Sequence, residues 1–179
     1  MRIPVPDDLI LGLLASRSQH GYELLAHFEA PAELGRVWTM SRSQVYAVLK
    51  RLQGQGMVRG KAVRGQDAPD RVEYGVTAAG RRKLENWLLQ PAPSASVRSI
   101  RVEFISKLYV ADLLDRPLDP IIAGQEGACR GRLGELEAAR ASAASATELR
   151  SLGFVIGQLR AAVAWLDELR VADSAERES

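Results

Sequence analysis

Five side chains within one short stretch, Arg42, Ser43, Gln44, Tyr46 and Lys50, carry a guanidinium, a hydroxyl, an amide, a phenol and an ammonium. None is a nucleophile with a base beside it. What they share is the capacity to bond phosphate oxygens and the donor and acceptor edges of bases. Lys61, Arg64 and Arg71 follow as a second group of cations, and His20 and Tyr22 precede them. Other chemistry finds little footing. Cys129 is the single cysteine, so neither an intrachain disulfide nor a thiolate cluster can form. His20 has no partner at metal-ligand spacing, which argues against a metal. No glycine-rich phosphate loop follows a strand and no acid cluster stands out, so neither catalysis nor a cofactor is expected.

The first group must be presented by a helix. Ser41 and Gln44 make a Ser-x-x-Gln capping box, with Met40 and Val45 placed as a hydrophobic staple. Val45, Val48, Leu49 and Leu52 then recur at i, i+3, i+4 and i+7, a core stripe, and Gly54 and Gly56 end the pattern. At roughly 100° per residue, Tyr46, Lys50 and Ser43 fall within about 100° of Arg42, opposite the apolar set. One face is free to lie in a major groove while the other packs. Gln44 has two claims on its side chain, the cap and a base; capping is placed first.

Around this helix the pattern is short and regular. Pro4 and Pro6 precede Asp7-Asp8, which can cap a helix carrying Leu9, Ile10, Leu13 and Leu14. Gly21 opens a second helix with Leu24, Leu25 and Phe28 inward, and Pro31 and Gly35 close it. Met57–Val63 and Arg71–Val76 read as two strands bracketing a Gly, Pro and Asp-rich tip that contains Arg64. Thr77 caps a fourth helix reaching Leu89. The segment Pro91-Ala-Pro-Ser-Ala-Ser reads as a linker, and three helical stretches follow it. The expected organisation is a domain over 1–90, a linker over 91–98, an all-α domain over 99–172 and a flexible tail over 173–179. Residues 1–90 hold 13 Lys/Arg against 9 Asp/Glu, and the remainder 11 against 13, so only the first part leans toward a polyanion. No run approaches the ~20 apolar residues of a membrane span, and the amino terminus lacks a signal-peptide pattern; a cytoplasmic protein is expected.

The fold class this predicts is mainly α (α+β): an N-terminal winged helix-turn-helix with a two-stranded wing, then an all-α C-terminal domain. Several stretches together closely resemble the PadR family of transcriptional regulators. They are Ile10-Leu-Gly-Leu-Leu-Ala, His20-Gly-Tyr-Glu-Leu, Trp38 before Ser41-x-x-Gln44-Val45-Tyr46, Leu49-Lys-Arg-Leu52, Gly56-Met-Val58, Tyr74-x-Val-Thr77-x-x-Gly80 and Trp87-Leu88. Each is unspecific alone; their order over residues 9–90 carries the resemblance. It implies a homodimer joined through the C-terminal helices. It also implies binding to a palindromic double-stranded DNA operator, usually as a repressor, with release by a small-molecule effector or another signal. Family recognition contacts map onto Ser43, Gln44, Tyr46 and Lys50, with Arg42 beside them. Ala47 stands where the family commonly has proline, leaving the helix more regular.

Leu152, Val155, Ile156, Leu159, Ala162, Val163, Leu166 and Leu169 form an apolar stripe that a second copy is expected to cover. Trp87, Phe104, Tyr109 and Trp165 are candidates for lining an apolar effector site. The competing reading is a winged helix used for protein–protein contact, its basic face idle.

Overall fold

The computed structural model describes residues 6–31, 33–63, 71–90 and 93–177. They form two units, one from residues 1–89 and 105–116, the other from 90–104 and 117–179.

In the first unit, α1 (Asp7–Ser16) buries Leu9, Ile10, Leu11, Leu13 and Leu14, all but inaccessible to solvent. A helix apolar on so many sides belongs at the centre of its unit. The cap expected from Asp7-Asp8 is absent. Pro6 occupies the N-cap position, and the buried Asp7 carboxylate instead receives Arg51, from Nε at 3.0 Å and from Nη2 on its other oxygen. That pair ties the first helix to the third. After α2 (Gly21–Glu29) and a folded connector, α3 (Arg42–Gly54) starts where the capping box places it. Ser41 Oγ accepts the Gln44 N–H at 3.3 Å, and Gln44 Oε1 accepts the Ser41 N–H at 2.7 Å. Val45, Val48, Leu49 and Leu52 are buried, each burial stabilising by roughly 1.5–3 kcal/mol. Gly56, at φ 69°, then turns the chain out of the helix, a conformation that costs glycine nothing.

Strands β2 (Val58–Val63) and β3 (Arg71–Val76) pair antiparallel from Val58↔Val76 to Val63↔Arg71. A third strand was not foreseen. β1 (Gln19–His20) pairs with the other edge of β3, Gln19 opposite Tyr74 and His20 opposite Glu73, giving the order β1-β3-β2. Two residues are too few to show alternation, so periodicity could not reveal it. Thr77 joins sheet to helix: its hydroxyl donates to the Gly56 carbonyl at 2.7 Å and accepts the Gly80 N–H at 3.2 Å. It thereby caps α4 (Ala78–Leu88).

Helix α6 (Ile105–Leu113) completes this unit, whereas the sequence reading assigned it to the C-terminal domain. Val110 and Ala111 are fully buried beside α1. A Cβ on Gly12 would lie 2.5 Å from Val110, so the missing side chain admits this close packing.

In the second unit, Ser96 Oγ accepts the Ser99 N–H at 3.2 Å and opens α5 (Val97–Ser99), so the presumed linker is helical at its end. A π-helical turn follows over Ile100–Phe104. Helices α7 (Asp119–Ala141) and α8 (Ala146–Arg177) then pack as a hairpin. α8 runs through most of the expected tail, because nothing from Asp173 to Arg177 breaks a helix. The hairpin also changes the reading of the apolar stripe. Ile156, Leu159, Val163 and Leu166 are buried within the chain, alongside Ile121, Ile122, Cys129 and Leu136, because α7 covers them. Phe154 (67% exposed), Val171 and Trp165 remain open on α8.

Gly80 offers a test of this packing. A Cβ there would meet the Met57 carbonyl oxygen and the Val76 side chain, and the first is backbone that cannot swing aside. Gly80→Ala is expected to destabilise the fold by about 2 kcal/mol or more; urea unfolding of the two chains measures this, and equal midpoints would contradict the packing.

Candidate nucleic-acid interface

The outer face of α3 is held open by its inner one. With the apolar stripe buried, Arg42, Ser43, Gln44, Tyr46 and Lys50 are all exposed. Arg42 lies over the Tyr46 ring, its Cζ 5.9 Å from the centroid. At the head of α2, the rings of His20, its N-cap, and Tyr22 stack at 5.5 Å and 10°, and Arg71 of the wing lies over Tyr22 at 5.7 Å. Three elements thus converge on one concavity of about 560 Å³, lined by His20, Gly21, Tyr22, Arg42, Tyr46, Arg71, Val72 and Tyr74. Two guanidiniums rest on phenol faces there, which restrains them without neutralising them.

His20 is fixed from two sides. Its backbone N–H donates to Glu23 at 2.7 Å, and its Nδ1 lies 3.0 Å from the Val72 carbonyl. A carbonyl only accepts, so Nδ1 carries the proton. Tyr22 is 48% exposed. Gly21 opens α2, and its decisive feature is room. A Cβ there would lie 2.7 Å from Tyr46 Cζ, so the absent side chain lets the phenol of α3 rest against the start of α2.

The candidates are therefore not all in one place. His20, Tyr22, Arg42, Tyr46 and Arg71 meet. Ser43 Oγ lies 2.9 Å from Ser41 Oγ, and Gln44 is engaged in the cap. Lys50 and Lys61 are exposed but do not line the concavity, and Lys61 stands opposite Glu73 in the sheet. Arg64 lies outside the described residues. Tyr74 and Val72 were missed as site residues. Tyr74 stood in a recognisable motif, but only the β1–β3–β2 order shows that it faces this site; burial pushes its hydroxyl above the ordinary tyrosine pKa.

The four aromatic candidates for an effector site have two addresses. In the first unit, the Lys107 ammonium sits 5.6 Å from the Trp87 ring centroid, and Tyr109 donates to Glu33 at 2.6 Å. In the second, Phe104 and Trp165 meet edge to face at 5.9 Å. A larger concavity of about 660 Å³ in the second unit is lined by none of the four.

Three helices, a sheet-borne wing and a polar outer face on the third helix define a winged helix-turn-helix. Residues 10–86 match the model of the Transcriptional regulator PadR-like family. Over that stretch the chain is similar to this family of transcriptional regulators. The negative transcriptional regulator PadR of Bacillus subtilis is 31% identical over 109 residues, covering 60% of this chain and 57% of that protein. A probable transcriptional regulator of Mycobacterium tuberculosis is 30% identical over 82 residues, 46% of this chain and 42% of that protein. The chain thus spans about half the length of the curated relatives it matches. Among solved structures, Bacillus subtilis PadR in complex with operator DNA aligns at 24% identity and a TM-score of 0.46, covering 95% of this chain and 99% of that one. Among the described residues, no helix is long and apolar enough to cross a membrane.

Two predictions follow from these contacts. Because the atom that Gly21→Ala would strike is the far end of an exposed ring, the ring can swing away at small cost in stability. The expected result is an unfolding midpoint close to the parent's with duplex binding weakened severalfold; unchanged binding would remove Tyr46 from the interface. The second concerns Glu33, whose carboxyl titrates below its ordinary value, chiefly because Tyr109 donates to it and further because His27 does, against the opposing effect of burial. Such a group stabilises above its unfolded pKa and loses that contribution as pH falls through the folded one. Tyr109→Phe should raise the Glu33 titration toward the ordinary carboxylate range, which carbon-detected NMR of the side chain reads directly.

Proposed function

We propose that this chain binds double-stranded DNA as a homodimer and represses transcription from a palindromic operator until a small molecule or another signal releases it. The observation that carries the reading is the convergence of Arg42 and Tyr46 of α3, His20 and Tyr22 at the start of α2, and Arg71 of the wing on one concave face. In this reading α3 enters the major groove, with Arg42, Ser43, Tyr46 and Lys50 toward bases and phosphates. The start of α2 and Arg71 of the wing grip the backbone on either side. Gln44 serves the helix first, since its side chain already closes the cap.

The homodimer rests on two considerations. A palindromic site needs two recognition helices about one turn apart, roughly 34 Å. On α8, Phe154 and Trp165 lie on one side of the helix and leave apolar surface exposed that a second copy would cover, a role expected of the stripe whose Ile156, Leu159, Val163 and Leu166 are covered by α7 instead. Repression is drawn from the name of the Bacillus subtilis relative.

Selection of duplexes from random-sequence DNA tests the reading. Recovered sequences should carry two inverted half-sites with centres about 10 base pairs or a multiple apart, and their affinity should fall steeply with salt as counterions are released. Arg42→Ala combined with Lys50→Ala should weaken binding at least tenfold and flatten the salt dependence by about one to two ions; parental affinity in that variant would overturn the assignment of α3.

A further inference from the structure

The connector between α2 and α3 leads directly into the cap of α3 at Ser41. It is tightly folded: Glu33 N–H and Gly35 N–H both donate to the Ala30 carbonyl at 3.0 Å, and Trp38 N–H donates to the Leu34 carbonyl at 2.8 Å. Leu34 is buried beneath it. Two side chains of this connector reach outward, and both are held by the same helix. Trp38 Nε1 donates to Ser106 Oγ at 2.8 Å, and Glu33 Oε2 accepts from Tyr109 Oη at 2.6 Å. Ser106 and Tyr109 stand at i and i+3, one face of α6. His27, in the last turn of α2, closes the group, its Nδ1 2.5 Å from Glu33 Oε2 and 2.9 Å from Tyr109 Oη.

We propose that Ser106 and Tyr109 are positioning residues for DNA binding: α6 grips the helix-turn-helix connector at Glu33 and Trp38 and thereby sets the placement of α3. The inference rests on the operator reading above and adds an element that touches no DNA in it. Three features support it beyond the two bonds. The grip at Trp38 lies only three residues before Ser41, where α3 is capped, so little slack separates them. Val110, between the gripping residues and the end of α6, is pressed against Gly12, which leaves α6 little freedom to slide on α1 without releasing its hold. And α6 is continuous in the chain with the π-helical turn at Ile100–Phe104, a winding frequent at functional positions in helices. A displacement of α6 of the order of an ångström would break or re-aim both hydrogen bonds together, so its position and that of α3 are coupled.

The test uses the full chain, a fluorescein-labelled duplex selected on the parent from random-sequence DNA, and thermal unfolding in parallel. Tyr109→Phe and Ser106→Ala are each expected to weaken binding about fivefold, the size set by one lost hydrogen bond, at temperatures where both remain fully folded. Glu33→Gln keeps an acceptor for Tyr109 and should bind within about twofold of the parent, whereas Glu33→Ala should behave like Tyr109→Phe. The salt dependence separates positioning from contact. It should keep the parental slope in all four variants, because no phosphate contact is removed, while Lys50→Ala should lose about one ion. Parental affinity in Tyr109→Phe and Ser106→Ala, or losses that only follow the unfolded fraction, would overturn the inference alone. Failure of the parent to select any duplex would instead overturn the operator reading, and this one with it.

Discussion

Everything proposed for this chain depends on one constraint: α3 must be anchored along one side and bare along the other. Val45, Val48, Leu49 and Leu52 meet the first requirement by burial, and the Asp7–Arg51 pair pins the helix rotationally near its far end. A buried carboxylate left without its guanidinium is far more costly than an apolar pair of similar size. Such a pair therefore contributes less to stability than to selecting one arrangement of α1 and α3. With rotation fixed, the outward direction of Arg42 and Tyr46 is no longer free, and the remaining site is built to meet it.

The site is accordingly an assembly of neighbours that leave room for α3. Gly21 withholds a side chain where Tyr46 lies, Gly80 withholds one where the strand and helix junction closes, and Gly12 withholds one where α6 crosses α1. In each case the glycine is required by approach distance. The second unit uses a different means. Its long helices bury a single apolar seam and add ion pairs along the edges, Arg130 to Glu126 and Asp167, and Arg160 to Glu137. Exposed pairs of this kind add little stability each, but those that join α7 to α8 discourage the two helices from sliding along the seam.

The recognition helix was legible because its signals are local. A capping box, a staple and a 3.6-residue stripe lie within twelve residues or so, and the structure reproduces the cap atom for atom. The same locality explains Thr77 at the head of α4. What escaped was non-local. No window of sequence shows that Gln19 and His20 complete a sheet with Tyr74 and Glu73, and hence that Tyr74 belongs to the site. The periodicity of α8 correctly marked an apolar stripe but could not say which helix would cover it. The Asp7-Asp8 pair resembles a cap in composition, and only the position of Arg51 on another helix redirects it. The allegiance of α6 is of the same kind, decided by a glycine nearly a hundred residues away.

The three-stranded order has a further implication for how such a protein changes over generations. β3 is the middle strand, bonded on one side to β2 and on the other to β1 near its root. The root of the wing is therefore stitched from both flanks to the segment that carries His20, independently of whatever lies between Val63 and Arg71. Insertions, deletions or changes of charge in that intervening segment can accumulate without re-registering the root. In the operator reading, binding preference at the edge of the footprint would then be free to change while the central geometry is kept.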